Sequence, residues 1–206
     1  MRIQGTGNQP APTHLYRADL TLSGSAQLVL GRSMSRSSLI LQNLSLTSNS
    51  MWVEIGDARA TATLTNGKVT GFSITNAGFG YTRTPQVMLL GGGQSHNSSY
   101  VGLAQPNAPV PEYPLGHPAS VRAVLTAGAI SSFIIDDAGS GYVVPPYVFI
   151  LGDQLDPNGC AVPSAGVGLQ LLPGTPPVAW NGTTCITGPI SVFGTSSDAL
   201  FCGWTD

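Results

Sequence analysis

Charge is what this chain has least of. Lysine and arginine together number 8 and aspartate and glutamate 10, so 9% of its 206 residues are charged, against about 25% in ordinary soluble domains. So thin a basic set leaves no footprint for a nucleic acid, whose phosphates are met by clustered lysine and arginine. Disorder is excluded from the other side: 42% of residues are apolar and the formal net charge is only −2, the reverse of the composition that keeps a chain unfolded. Two explanations fit a folded, weakly charged chain. Either its surface is made of Ser, Thr, Asn and Gly, or other subunits cover much of it, since a bare monomer with few charges is poorly soluble. The basic residues lean to the front, with Arg2, Arg17, Arg32, Arg36 and Arg59 ahead of Lys68, Arg83 and Arg122. At most that asks for an acidic partner for the front part.

Other shortages narrow the reading. Strong helix formers are scarce and no window of a dozen residues carries a 3.6-residue apolar period, whereas glycine numbers 26 and proline 16. The chain therefore reads as nearly all β, with short strands and many turns. Met1-Arg2-Ile3-Gln4 leads into a polar stretch and no apolar run is long enough to span a bilayer, so neither a secretory leader nor a membrane helix is expected. Cys160, Cys185 and Cys202 are odd in number and lack metal-ligand spacing. They read as buried free thiols, with a Cys160–Cys185 bridge as the alternative.

Catalytic constellations are missing as well. His14, His96 and His117 sit in Pro/Ser-rich loops with no partner at metal spacing, and read as solvated. No G-x-S-x-G anchors a hydrolase triad. The glycine strings GGG at 91–93 and AGSGY precede no helix with a lysine, so they cradle no phosphate. Asp153, Asp156 and Asn158 in GDQLDPNG read as a plain turn ahead of a calcium loop. The scattered acids give no carboxylate pair suited to glycoside hydrolysis. The expectation is a protein that is not an enzyme, with no catalytic residue, cofactor or metal.

What is present is a duplication. Residues 62–91 read again at 123–152, offset by 61 without a gap, and 14 of the 30 aligned pairs are identical. Each copy opens into a hairpin, at Asn66-Gly67 in the first and at Gly128 in the second, because Asn-Gly satisfies a type I′ turn with its two positive φ angles. Thr70, Phe72 and Ile74 then share one face of a strand. The AG-x-GY segments follow, with Gly78 and Gly80 in one copy and Gly139 and Gly141 in the other where the backbone must reverse. Tyr81 and Tyr142 are placed to cover the bend, and Pro85 opens the last strand. Each copy thus reads as a three-stranded β-meander of about 30 residues, too small to bury its own apolar face. The two are expected to pack together or on the rest of the chain. The turn residues Gly67, Gly78, Gly80, Tyr81, Gly128, Gly139, Gly141 and Tyr142 are the candidate site residues, in a structural sense.

The remainder arranges itself around that block. Residues 1–18 read as an extended arm. Strands from 19–57 and 173–206 are expected to form a β-sandwich, jelly-roll-like, with SSLILQNLSL and SMWVEIG as a hairpin and ISVFG and ALFCGW as closing strands. The duplicated block, 58–172, would be inserted in it: repeat 1 at about 60–93, a Pro-rich linker at 94–118, and repeat 2 at about 121–154. The linker is expected to span the two meanders and touch a neighbour.

The pattern NGKVTGFSITNAGFGYTRTPQVMLLGG and its copy AGAISSFIIDDAGSGYVVPPYVFILGD resemble a glycine-tyrosine-proline repeat of the virion proteins of tailed bacteriophages, found in tail fibres, spikes and capsid-associated proteins. SRSSLILQNLSLTSNSMWVEIG and ISVFGTSSDALFCGWTD resemble the opening and closing strands of small phage virion β-sandwiches. The resemblance implies a structural virion protein, assembled in the host cytoplasm, with no catalytic residues to carry over. A capsid decoration, or cement, protein is expected: a homo-oligomer, a trimer foremost, that clamps major capsid subunits. The alternatives are a tail or head–tail component (adaptor, spike or fibre base) and a carbohydrate- or receptor-binding module, in which Tyr81, Tyr142, Tyr100 and Tyr113 would stack on sugars. A glycan depolymerase ranks below these.

Overall fold

The structure, a computed structural model, describes residues 15–92, 116–153, 155–156 and 158–205. It is all-β, with antiparallel sheets and, among the described residues, a single short 3-10 turn at Gly182–Thr184. The chain divides into two compact units, Met1–Ile55 with Pro163–Asp206, and Gly56–Val162.

The terminal unit contains β1 (Leu15–Thr21), β2 (Gln27–Leu30), β3 (Ser38–Asn43) and β4 (Met51–Ile55) from its first half. From its second half come β11 (Leu169–Leu171), β12 (Val178–Asn181), β13 (Ile190–Phe193) and β14 (Ala199–Thr205). They form two four-stranded sheets, in the orders β1-β14-β3-β12 and β11-β4-β13-β2. Strand alternation decides which residues face inward: Leu39 and Leu41 of β3 and Leu200 and Cys202 of β14 meet Met51 and Val53 of β4 and Ile190 and Val192 of β13 in one buried cluster. Each such aliphatic side chain contributes about 1.5–3 kcal/mol by leaving water.

Three expectations change here. β3 and β4 are not a hairpin; they lie in opposite sheets. The Asn43 side chain gathers the connection by donating to the carbonyls of Asn49 and Leu171, both at 3.0 Å, and accepting from Ser45 N–H at 2.8 Å. The arm does not extend to residue 18, because Leu15–Thr21 pairs residue for residue with Ala199–Thr205; residues 1–14 lie outside the described residues. Arg36 serves no outside partner: it is buried, and its guanidinium donates to the carbonyls of Ile186, Gly188 and Gly31.

The inner unit holds β5 (Arg59–Thr65), β6 (Lys68–Asn76), β7 (Gln86–Leu90), β8 (Ser120–Thr126), β9 (Ala129–Asp137) and β10 (Tyr147–Leu151). The unit boundaries differ from 58 and 172. Ala161 N–H donates to Gly56 C=O at 2.9 Å and closes the inner unit, while β11 pairs with β4 and so joins the terminal one. β5–β6 and β8–β9 are hairpins, turning at Asn66-Gly67 (φ 52 and 72) and Ala127-Gly128 (φ 51 and 78).

The copies are not meanders. The third strand of each leaves its own hairpin, and the two third strands pair with each other, Met88 opposite Phe149. β10 also pairs with β5 of the other copy, at Tyr147 and Thr61. The physical reason is burial. A lone meander leaves its apolar face wet, whereas exchanged third strands send Val87, Val148 and Ile150 into a core shared with Ala58, Ala60, Tyr81, Ala123 and Ile130. A second cluster repeats the first with the copies interchanged: Ala62, Val69 and Tyr142 with Leu89, Ala119 and Ile135. Met88 and Phe149 hold the same place in the two copies, as do Phe72 and Phe133, whose rings lie 4.8 Å apart. An internal two-fold axis therefore runs through both pairs.

Candidate functional site

The turn residues picked from the sequence meet each other across that axis. Tyr81 N–H donates to Gly128 C=O at 3.0 Å, and Tyr142 N–H to Gly67 C=O at 3.1 Å. Val69 N–H donates to Ala138 C=O and Ile130 N–H to Ala77 C=O, both at 2.9 Å. Each hairpin tip is thus seated in the other copy's AG-x-GY corner. Gly78, Gly80, Gly139 and Gly141 hold φ of 67, 76, 63 and 76, a region that L side chains avoid. Space is short as well: a Cβ on Gly78 would come within 2.8 Å of the Cys160 carbonyl, and one on Gly139 within 2.6 Å of Ala119 N.

Tyr81 and Tyr142 are buried at the corners, so neither can stack on a sugar. Their hydroxyls accept the backbone N–H of Ala58 and of Ala119, each at 2.8 Å. Burial pushes the Tyr81 phenol well above its ordinary value, against the Ala58 hydrogen bond that would lower it. Tyr100, Tyr113, His14 and His96 lie outside the described residues, as does most of the expected linker, of which Gly116–Pro118 is described.

Two polar fastenings were invisible in the sequence, one per copy. In the first, Asp156 is 1% exposed and its Oδ2 accepts Thr82 N–H at 2.6 Å and Arg83 N–H at 2.8 Å. Burial alone would raise this carboxyl, but those donors outweigh it and hold it below the usual range. Asp153 accepts Leu155 N–H and lies 3.5 Å from the Arg83 guanidinium. Both acids therefore act as turn acceptors, and among the described residues no group of three or more His, Cys, Asp or Glu side chains is placed to hold a metal ion.

In the second copy His117 bridges Asp137 (Nε2 to Oδ1 3.0 Å) and Ser140 (Nδ1 to Oγ 3.0 Å). These are the residue types of a nucleophilic triad, but they stand on an open corner with the His117 and Asp137 side chains more than half exposed. The Ser140 N–H donates to the His117 carbonyl and the His117 N–H to Ser140 Oγ. The group closes on itself and fastens Gly116–Pro118 to the corner. The corresponding positions of the first copy are Gly56, Asn76 and Phe79, so the fold works without it.

An apolar patch lies on the outside of β7 and β10. Strand alternation turns Val87, Leu89, Val148 and Ile150 inward, and therefore turns Met88, Leu90, Tyr147 and Phe149 out. These are 39%, 45%, 81% and 50% exposed. Register places Tyr147 opposite Leu90 and Phe149 opposite Met88, so the four form one contiguous patch. Neither strand carries a charged residue. No family model matches the chain, and neither a curated protein nor a solved structure matches it. The sequence signal for the patch was the uncharged run YVVPPYVFIL, which strand pairing alone converts into a surface.

Proposed function

We propose that the chain is a structural virion protein of a tailed phage, a capsid decoration protein whose inner unit offers a surface for neighbouring subunits to cover. The observation that carries this reading is the patch of Met88, Leu90, Tyr147 and Phe149 on a chain with only 9% charged residues. A surface of this kind is costly in water and stabilising once covered, at about 25 cal/mol per Å² of apolar area. Repetition around a shell multiplies modest contacts into large ones.

Strand order in the terminal unit supports a jelly-roll reading. Lettered B to I in chain order, its eight strands fall into sheets BIDG and CHEF, an arrangement frequent in viral capsid and lectin domains. On this reading the duplicated unit is an insertion in the E–F connection, between β4 and β11. The resemblance of both repeats and flanks to tailed-phage virion proteins points the same way.

Counting copies in purified particles tests the proposal. Hundreds per particle are expected; roughly three to twelve would move the protein to the tail or the head–tail junction, and absence would overturn the virion role. A receptor-binding reading draws on the same patch, because Tyr147 is the most exposed of its aromatics. Glycan-array binding that Tyr147→Ala abolishes would favour it.

A further inference from the structure

We propose that a cleft on the outward face of the β11-β4-β13-β2 sheet is a binding site for a short neutral saccharide. It lies wholly within the terminal unit and stands apart from the virion reading and from the patch on β7 and β10. Met51 and Val53 of β4 and Ile190 and Val192 of β13 point into the core, so alternation turns Trp52 and Phe193 out. Register sets these two side by side, with Gln170 of β11 on the other flank of Trp52. Trp180 and Trp204 pack against the core, and Trp52 does not. An indole and a phenyl ring thus stand together in a cleft of about 510 Å³. Small-molecule sites ordinarily measure about 300–1,000 Å³ and combine aromatic walls with a few placed polar groups.

The polar groups are Asn49, Ser50, Thr195 and Ser196, and the structure fixes the loops that carry them. The Asp198 carboxylate, in a residue only 4% exposed, accepts the hydroxyls of Ser45 and Thr47 at 2.5 and 3.0 Å. Asn43 donates to the Asn49 carbonyl, and Gln170 Nε2 donates to Ser50 Oγ at 2.8 Å. On the opposite rim, Asp198 N–H donates to Thr195 C=O at 3.2 Å and Leu22 N–H to Asp198 C=O at 2.8 Å. A rim set before the ligand arrives lowers the ordering cost of binding. The Asn49 side-chain amide and the Thr195 and Ser196 hydroxyls have no hydrogen-bond partner among the described residues. The same chemistry selects the ligand. No charged residue lines the cleft, and Glu54, the next outward residue of β4, is 3% exposed, so an ionic ligand would lose water and meet no counter-charge. A purely apolar ligand would cover the amide and hydroxyls and leave them unpaired. A pyranose satisfies both demands. Its C–H face lies against the electron-rich face of an aromatic ring, and its hydroxyls both donate and accept, as do the groups of the rim.

The test screens the full chain on an array of neutral, sialylated and sulfated oligosaccharides, then titrates the strongest neutral binder by calorimetry. Trp52→Ala is expected to weaken binding roughly tenfold or more, and Trp52→Phe to restore most of it. Asn49→Ala keeps the comparison valid if Trp52→Ala melts early. Asn43 holds Asn49 by its backbone carbonyl, so this variant should melt like the wild type and still bind several-fold more weakly. Tyr147→Ala, in the inner unit, should bind as the wild type does. An array with no neutral binder, or with acidic binders only, overturns the cleft. So does binding that is undiminished in folded Trp52→Ala or in Asn49→Ala, and so does binding that Tyr147→Ala abolishes. None of these outcomes changes the number of copies in particles, so the virion reading stands or falls by its own count.

Discussion

Residues 66 and 127 occupy the same turn position in the two copies, and the backbone asks the same of both: φ of 52 at Asn66 and 51 at Ala127. Asparagine visits this region readily, while alanine enters it at a cost of roughly 1 kcal/mol. Ala127→Asn is therefore expected to stabilise the protein by about 0.5–1 kcal/mol, and Asn66→Ala to destabilise it by a similar amount, both read from urea unfolding midpoints. A pH effect belongs to this scale too. Burial pushes the Cys202 thiol up to about 12 from 9.0, against the pull of the Arg36 charge, and raises the Tyr81 phenol as well. In both groups the folded state favours the neutral form. The Cys202 contribution is complete below pH 9, where the unfolded thiol also stays protonated, and is lost as pH rises toward 12, whereas that of Tyr81 starts to fall only above pH 10. The stability should fall by at most about 1.4 kcal/mol per pH unit for each group, from pH 9 for Cys202 and from pH 10 for Tyr81. Urea melts across that range check it, and Cys202→Val should flatten the slope.

At the scale of elements, the exchanged third strands depend on contacts across the internal axis. Phe72 and Phe133 meet there with ring centroids 4.8 Å apart and planes tilted by 39°. Such a pair is worth about 0.5–1.5 kcal/mol beyond its buried area. A double-mutant cycle on Phe72→Ala and Phe133→Ala is expected to return a coupling near 1 kcal/mol; additivity would mean the hairpins do not support one another. This is also where the sequence stops being legible. The period-two pattern of Thr70, Phe72 and Ile74 marked β6 and its inward Phe72 and Ile74, but a bulge opposite Thr63 and Leu64 leaves Thr70 exposed and buries Val69 instead; the Asn-Gly dipeptide located a turn. Such patterns say which face a strand buries, not which strand it buries that face against. A meander and an exchange of third strands both satisfy QVMLL and YVFIL. The same blindness made β3 and β4 a hairpin, since Leu39 and Leu41 face inward whether β4 is a neighbour in the sheet or lies across the core. Asp156 was read as a turn acid because its partners, the N–H groups of Thr82 and Arg83, are more than 70 residues away in the chain. Tyr81 and Tyr142 were correctly seen as covers for the bend, and that role is what removes them from sugar stacking.

For the molecule as a whole, the division after Ile55 and after Val162 has a measurable meaning. Both apolar clusters of the inner unit are made by residues within Gly56–Val162. A fragment of residues 56–162 is expected to fold by itself, with a cooperative thermal transition and the β-type circular dichroism of the full chain. A fragment that melts gradually would mean the terminal unit is needed to hold the copies together.

The Ala161–Gly56 hydrogen bond brings the entrance and the exit of the inner unit side by side, like two adjacent pins of a plug. A folded module whose own termini lie equally close is expected to be accepted between Ile55 and Pro163, with the circular dichroism of the terminal unit retained as the check.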